Sequence, residues 1–308
     1  MRTLLSNRDA TDLAQVRRFI VGTLSTDQAE NIGETIYVDG TAGSNAFDGK
    51  SPDRAKLTIT AALAVAVAGD VVAVFPGTYA EHLTMAVANV SLVGLGDEPV
   101  KTLISSPAVT ATPLLTISAV GCTVANLRFT QGEVTDPSCI LVNQVSETFI
   151  ENCDFVLGAA CALLIGVEIL GAPTTAFCNT VRGCFFSGCT MGIALVEINN
   201  TMPLNTYIKN CTFQRLVTND ITDLGVAHVI DGIFIEDCTF RTVSATMLNL
   251  HGAAHTGTLY GCCCPGAWSH AGGVNTAALI LTARCYTVAG VSGAAPAKPS
   301  PYAEGRVF

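Results

Sequence analysis

Along most of this chain apolar and polar positions alternate with a period of two, and the alternation breaks at a recurring corner. The repeating unit is six residues long: an apolar residue, any residue, then Asn, Asp or Gly, an apolar residue or Cys, any residue, and in most copies Phe. It occurs at 87–92, 124–129, 150–155, 181–186, 208–213, 235–240 and 259–264. The third place holds Asn89, Asn126, Asn152, Gly183, Asn210, Asp237 and Gly261, residue types that tolerate positive φ and so permit a tight bend. Apolar residues two before, one after and three after the corner predict short strands on either side. Units returning every 25 to 40 residues or so are the mark of a repeat architecture. Coils of three strands and three turns, stacked with parallel pairing at about 4.8 Å per step, account for that length. The predicted fold is all-β, a parallel β-helix.

Residues 36–50, IYVDGTAGSNAFDGK, followed by LTITAAL at 57–63 and GDVVAVFPGTY at 69–79, resemble the entry module of right-handed parallel β-helix proteins of the pectin lyase-like superfamily. The resemblance implies a short N-terminal capping helix, here near 58–68, and a solenoid over 36–290. It implies no single activity, because that superfamily holds polysaccharide lyases, hydrolases, phage tailspikes and non-enzymatic virion proteins alike. Residues 1–35 form a separate arm with helical spacing at Leu13, Val16, Phe19 and Ile20, and 291–308 an extended Pro-rich tail.

Charge changes the picture. Only 13% of the 308 residues are charged and the net charge is −9, against about a quarter charged in ordinary soluble chains. The stretch 242–283 has no Asp, Glu, Lys or Arg at all, yet no run reaches about 18 apolar residues, so no membrane span is predicted. A signal peptide is not expected either, since Arg8, Asp9, Asp12, Arg17 and Arg18 interrupt the N-terminus. Direct nucleic-acid binding finds no basic stripe to support it. Surface hidden in an oligomer is the expectation.

Thirteen cysteines are present. Cys153, Cys184, Cys211 and Cys238 occupy one place in consecutive units, with Cys262 continuing the row and Cys263 alternating outward. Phe155, Phe186, Phe213 and Phe240 form a second row. Both rows are read as an inward core ladder, the thiols as small buried hydrophobes, with disulfides the alternative. His251, His255, Cys262, Cys264 and His270 are zinc-ligand types without a closed-site spacing. Asp39, Ser44, Asn45 and Asp48 offer oxygen ligands for calcium, or simply the polar turns of an entry loop. No cofactor is expected.

For catalysis the resemblance directs attention to one sheet face, whose matching strands are read at 163–167, 193–196, 227–230, 247–250 and 278–281. Both alternating sides of these strands read as apolar, so the outer side around Ile165, Leu195 and Val229 is expected to be a subunit contact. Glu168, Glu197, Asp223 and Asp231 gather at strand ends and are the only carboxylates to nominate for glycosidic chemistry, which requires a pair. Glu151, Arg182, Lys209 and Glu236 form an outward row of mixed sign.

Three functions fit this sequence. The favoured expectation is a non-enzymatic phage virion protein: a trimeric head-decoration protein or short fibre, assembled in the host cytoplasm, contacting itself, other virion proteins and the major capsid protein. The alternatives are a polysaccharide lyase or hydrolase, and a glycan-binding tailspike contacting surface glycans.

Overall fold

The structure, a computed structural model, describes residues 33–107, 112–130, 138–156, 164–172, 176–216, 218–224, 230–241, 246–250, 256–264, 279–283 and 286–287. The expected arm and tail therefore lie outside the described residues, apart from 33–35. Every strand pair is parallel, and the strands form three sheets that run the length of a β-solenoid. Sheet A has ten strands, from Thr35–Val38 to Leu279–Ala283. Sheet B has nine, from Gly77–Ala80 to Tyr286–Thr287. Sheet C has seven, from Leu83–Met85 to Thr246–Asn249. From Val71–Val74 to Thr246–Asn249 each coil runs A, B, C and returns to A.

The corners show why these residues make these elements. Asn126, Asn152, Gly183, Asn210, Asp237 and Gly261 all have φ between +48° and +64° and sit between a strand of sheet A and the next strand of sheet B. The first five donate their backbone N–H to the carbonyl of the next coil, as from Asn152 to Arg182 and from Asn210 to Glu236, both at 2.9 Å. The Asn152 amide also donates to Asn126 Oδ1, so the corner stacks as well as turns. Asn89 belongs elsewhere. It has φ +59° but lies between sheets C and A, stacked with Gly121, Glu147, Cys178, Asn205 and Gly232, all at positive φ. The unit at 87–92 is thus out of phase with the other six.

Inside, Phe129, Phe155, Phe186, Phe213 and Phe240 stack ring on ring, with centroids 4.7–5.4 Å apart and planes within 10° of parallel. All five are buried. Beside them runs the thiol row Cys153, Cys184, Cys211, Cys238 and Cys262, buried and free. Each Sγ lies 3.3–3.4 Å from the carbonyl two residues earlier, across the corner. A small side chain with a weak donor fits that place. Burial is the main cause that holds the Cys184 and Cys211 thiols well above their ordinary range.

The aromatic ladder also dictates glycine in sheet C. A Cβ on Gly166 would meet Phe186 Cδ1 at 2.7 Å, and one on Gly192 would meet Phe213 Cδ1 at 2.8 Å. Val167 and Ile193, the next residues, are buried in the same core. Two consecutive positions therefore face inward, and the alternation slips by one.

The expected capping helix is shorter than 58–68, spanning Ile59–Leu63. Its first N–H groups, which have no intrahelical acceptor, are met by Glu81, whose carboxylate accepts from Ile59 N, Thr60 N and the Thr60 hydroxyl. Asp70 then draws the chain back by accepting from Val67 N. No helix among the described residues is long and apolar enough to cross a membrane.

Candidate functional site

The outer face of sheet C is where the nominated chemistry must be judged. Its central row, fixed by strand register, is Thr84, Thr116, Leu141, Glu168, Ala194, Thr222 and Asn249. This row is mixed and mostly polar, which corrects the expectation of strands apolar on both sides; Thr84 is exposed and Thr116, Leu141, Glu168 and Asn249 half-buried, whereas Ala194 and Thr222 are buried. Leu195 is not on it. It follows Val142 and Ile169 on the inward row and is buried in the core, because the slip at Gly192 and Ile193 reverses the side on which later residues of the strand point. Ile165, before the equivalent slip, is half-buried, and Val229 lies outside the described residues. Two of the strands read for this face also differ: 227–230 gives way to Asn219–Asp223, and Leu279–Ala283 belongs to sheet A.

Glu168 sits in the middle of the row, half-buried. Burial pushes its carboxyl above the ordinary range, with the Ser138 hydroxyl pulling the other way and no cation contributing. The other nominated carboxylates do not join it. Register pairs Glu168 with Ala194, so Glu197 lies three residues further along, roughly 10 Å at strand rise. Asp223 pairs with Leu195 on the inward row and is buried. Asp231 is exposed at the corner entering sheet A, where its carboxylate accepts from the Thr256 hydroxyl at 2.6 Å. The four therefore form no acid–base pair of the kind glycoside hydrolysis uses.

The other faces are more self-contained. On sheet A, Arg182 pairs with Glu151 and Lys209 with Glu236, each at 2.9 Å. Beside them Tyr207 stacks on Phe234 at 4.8 Å; rings stacked along the axis offer their edges rather than a flat platform. On sheet B, Arg128 pairs with Asp154 at 2.8 Å.

The calcium candidates are engaged locally. Asp39 accepts from Thr41 N and Ala42 N, Asn45 from Leu57 N, Thr58 N and the Thr58 hydroxyl, and Asp48 from Lys50 N and Arg54. These bonds shape the entry loop, and among the described residues no cluster of metal-ligand side chains is present. His251, His255 and His270 lie outside the described residues, and Cys262 belongs to the core row. The signal missed in the sequence is Glu168 as the centre of a polar row. Its position becomes visible only once the slip at Gly166 sets the register.

No family model and no curated protein sequence matches the chain. Among solved structures it is similar to a rhamnogalacturonan lyase, at 14% identity and a TM-score of 0.58, covering 83% of this chain and 74% of that one. It is also similar to a pectin methylesterase from Aspergillus niger in two deglycosylated forms, at 13% and 12% identity and a TM-score of 0.52, covering 86% of this chain and 92% of each. At such identities the likeness is one of fold, a right-handed parallel β-helix with pectin lyase-like neighbours.

Proposed function

We propose that this protein binds a polysaccharide along the outer face of sheet C, over Thr84, Thr116 and Leu141, with Glu168 at the end of the contact. The observation that carries this reading is Glu168 itself: a half-buried carboxyl, raised by burial, with no cation contributing to its shift, next along the solenoid axis to the half-buried Leu141 and Thr116 and the exposed Thr84, while Ala194 and Thr222 on its other side are buried. Hydroxyl and carboxyl groups beside an apolar side chain are the lining that fixes a sugar's orientation. A carboxyl raised by burial keeps its proton to higher pH than a free one, and in the acid form it can donate to a glycan oxygen as well as accept from one. The names of the structural neighbours, a rhamnogalacturonan lyase and a pectin methylesterase, agree with this reading. Cleavage is a finer proposal, with Glu168 as general acid, and needs a second carboxylate brought to it.

A glycan microarray spanning neutral and uronate-containing polysaccharides tests the reading, run beside assays for reducing ends, unsaturated products and released methanol. Binding without turnover is the expected result, and no binding to any polysaccharide would defeat it.

A structural role in a phage virion, as a homotrimer in contact with a capsid protein, remains a second proposal. It is favoured by an exposed apolar row on the corner between sheets C and A: Val120, Phe177 and Leu204, 37–43% exposed. Light scattering tests it, with a monomer as the adverse outcome.

A further inference from the structure

The two outward columns of sheet A change character part-way along the solenoid. Register runs one column through Tyr37, Ala73, Val93, Ala125, Glu151, Arg182, Lys209 and Glu236. In the first four strands this column is aromatic or small and apolar, and from the fifth it is charged. The neighbouring column begins Thr35, Val71, Ser91 and Thr123. Apart from the half-buried Thr35, all of these early residues are buried although they point away from the core. Small apolar residues on an outer face indicate something packed upon it.

Ala55, Phe75 and Leu95 complete a cluster with this patch. They come from the entry loop and from the sheet A to sheet B corner, and so lie at its rim. The chain itself arrives at the opposite rim. Gly33 N donates to Gly69 O at 2.6 Å and Glu34 N to the Asp70 carboxylate at 2.9 Å, so the described chain begins beside this face.

We infer that the arm at residues 1–32 packs across the outer face of sheet A, laying Leu13, Val16, Phe19 and Ile20 over Val71, Ala73, Val93 and Ala125. The dimensions agree. Four parallel strands span about 14 Å between the first and the last, and one helix with its side chains is about 10–12 Å across. The segment 21–32 reaches up to roughly 40 Å when extended, ample for a return onto the face. The apolar positions of the arm have helical spacing, and a one-sided apolar stripe is what a single covering helix presents. Docking there ends where the charged column begins, at Glu151, whose side chain is only 4% exposed. The polysaccharide face is a different sheet, so this inference stands independently of that reading.

Limited trypsin digestion of the full chain decides it, because Arg17 and Arg18 lie within the covering stretch. In the unsubstituted chain, cleavage there is expected to be at least tenfold slower than in Ala125→Glu, a ratio equivalent to about 1.4 kcal/mol of docking. Phe19→Asp, which alters the arm alone, is expected to give the same acceleration with an unchanged far-UV circular dichroism spectrum, and it decides the matter if Ala125→Glu fails to fold. Equal cleavage rates in the unsubstituted chain and Phe19→Asp would overturn the inference. So would a dimer that Ala125→Glu splits while arm cleavage stays fast throughout, since a second copy would then be the cover.

Discussion

Removing one ring from the middle of the phenylalanine ladder is the sharpest test of the stacking register. Phe213 is fully buried and lies between Phe186 at 5.0 Å and Phe240 at 5.1 Å. Its ring edge also fills the space that Gly192 leaves open. Truncating Phe213 to Ala removes the transfer free energy of the side chain and leaves a cavity, together about 3–5 kcal/mol. The upper end is expected here, because two stacked contacts, each worth roughly 0.5–1.5 kcal/mol beyond area burial, are lost at once. Phe129 is the internal control: among the five rings it ends the row, stacked only on Phe155 at 5.4 Å, and its other neighbour in the column is Ile104. Phe129→Ala should cost less by about one such contact. Urea unfolding followed by circular dichroism measures both. Because a solenoid couples only nearest neighbours, the Phe213 variant is also expected to separate unfolding on either side of the gap into two transitions. A loss below about 1 kcal/mol for Phe213→Ala, or an equal loss at Phe129, would refute the register.

Further outcomes follow from the same geometry. The thiols of Cys153, Cys184, Cys211 and Cys238 should be reduced and resist iodoacetamide at pH 8 until denaturant is added; mass spectrometry showing paired cysteines without reductant would contradict this. Glu168, with a folded-state pKa raised by burial, binds its proton more tightly folded than unfolded. Its stabilising contribution is therefore complete at acid pH and lost as pH rises through the folded value. Glu168→Gln should flatten the fall in melting temperature above about pH 4.5 and raise stability at pH 7; a steeper fall in the variant would be contrary. Glu81→Ala removes the acceptor for the first N–H groups of the helix Ile59–Leu63 and should cost about 1–2 kcal/mol in urea unfolding, an unchanged midpoint counting against that capping role.

The legible and illegible parts of the fold separate along physical lines. The corner from sheet A to sheet B was readable because Asn, Asp and Gly occupy left-handed backbone there and the core residues flanking it alternate cleanly. The second corner, from sheet C to sheet A, was not readable. Two of its left-handed positions are Glu147 and Cys178, types that carry no such signal, and Asn89 at that corner imitated the first. Sheet C hid its faces for another reason. Gly166 and Gly192 yield space to aromatic rings one coil away, and the resulting slip lies in tertiary packing rather than in the local pattern. The local pattern consequently points Leu195 outward and places Glu168 at a strand end rather than within the outer row of a face. The calcium reading at Asp39, Asn45 and Asp48 recognised real oxygen acceptors, but their partners are backbone amides and side chains of the same entry loop.

Affinity electrophoresis in gels cast with a polysaccharide that the microarray identifies tests the functional account most directly. It compares the unsubstituted chain with Glu168→Lys on sheet C and Lys209→Glu on sheet A. Retardation of the unsubstituted chain and of Lys209→Glu, and its loss in Glu168→Lys, is the predicted result. Retardation that survives Glu168→Lys and disappears in Lys209→Glu would place the contact on sheet A and contradict the account.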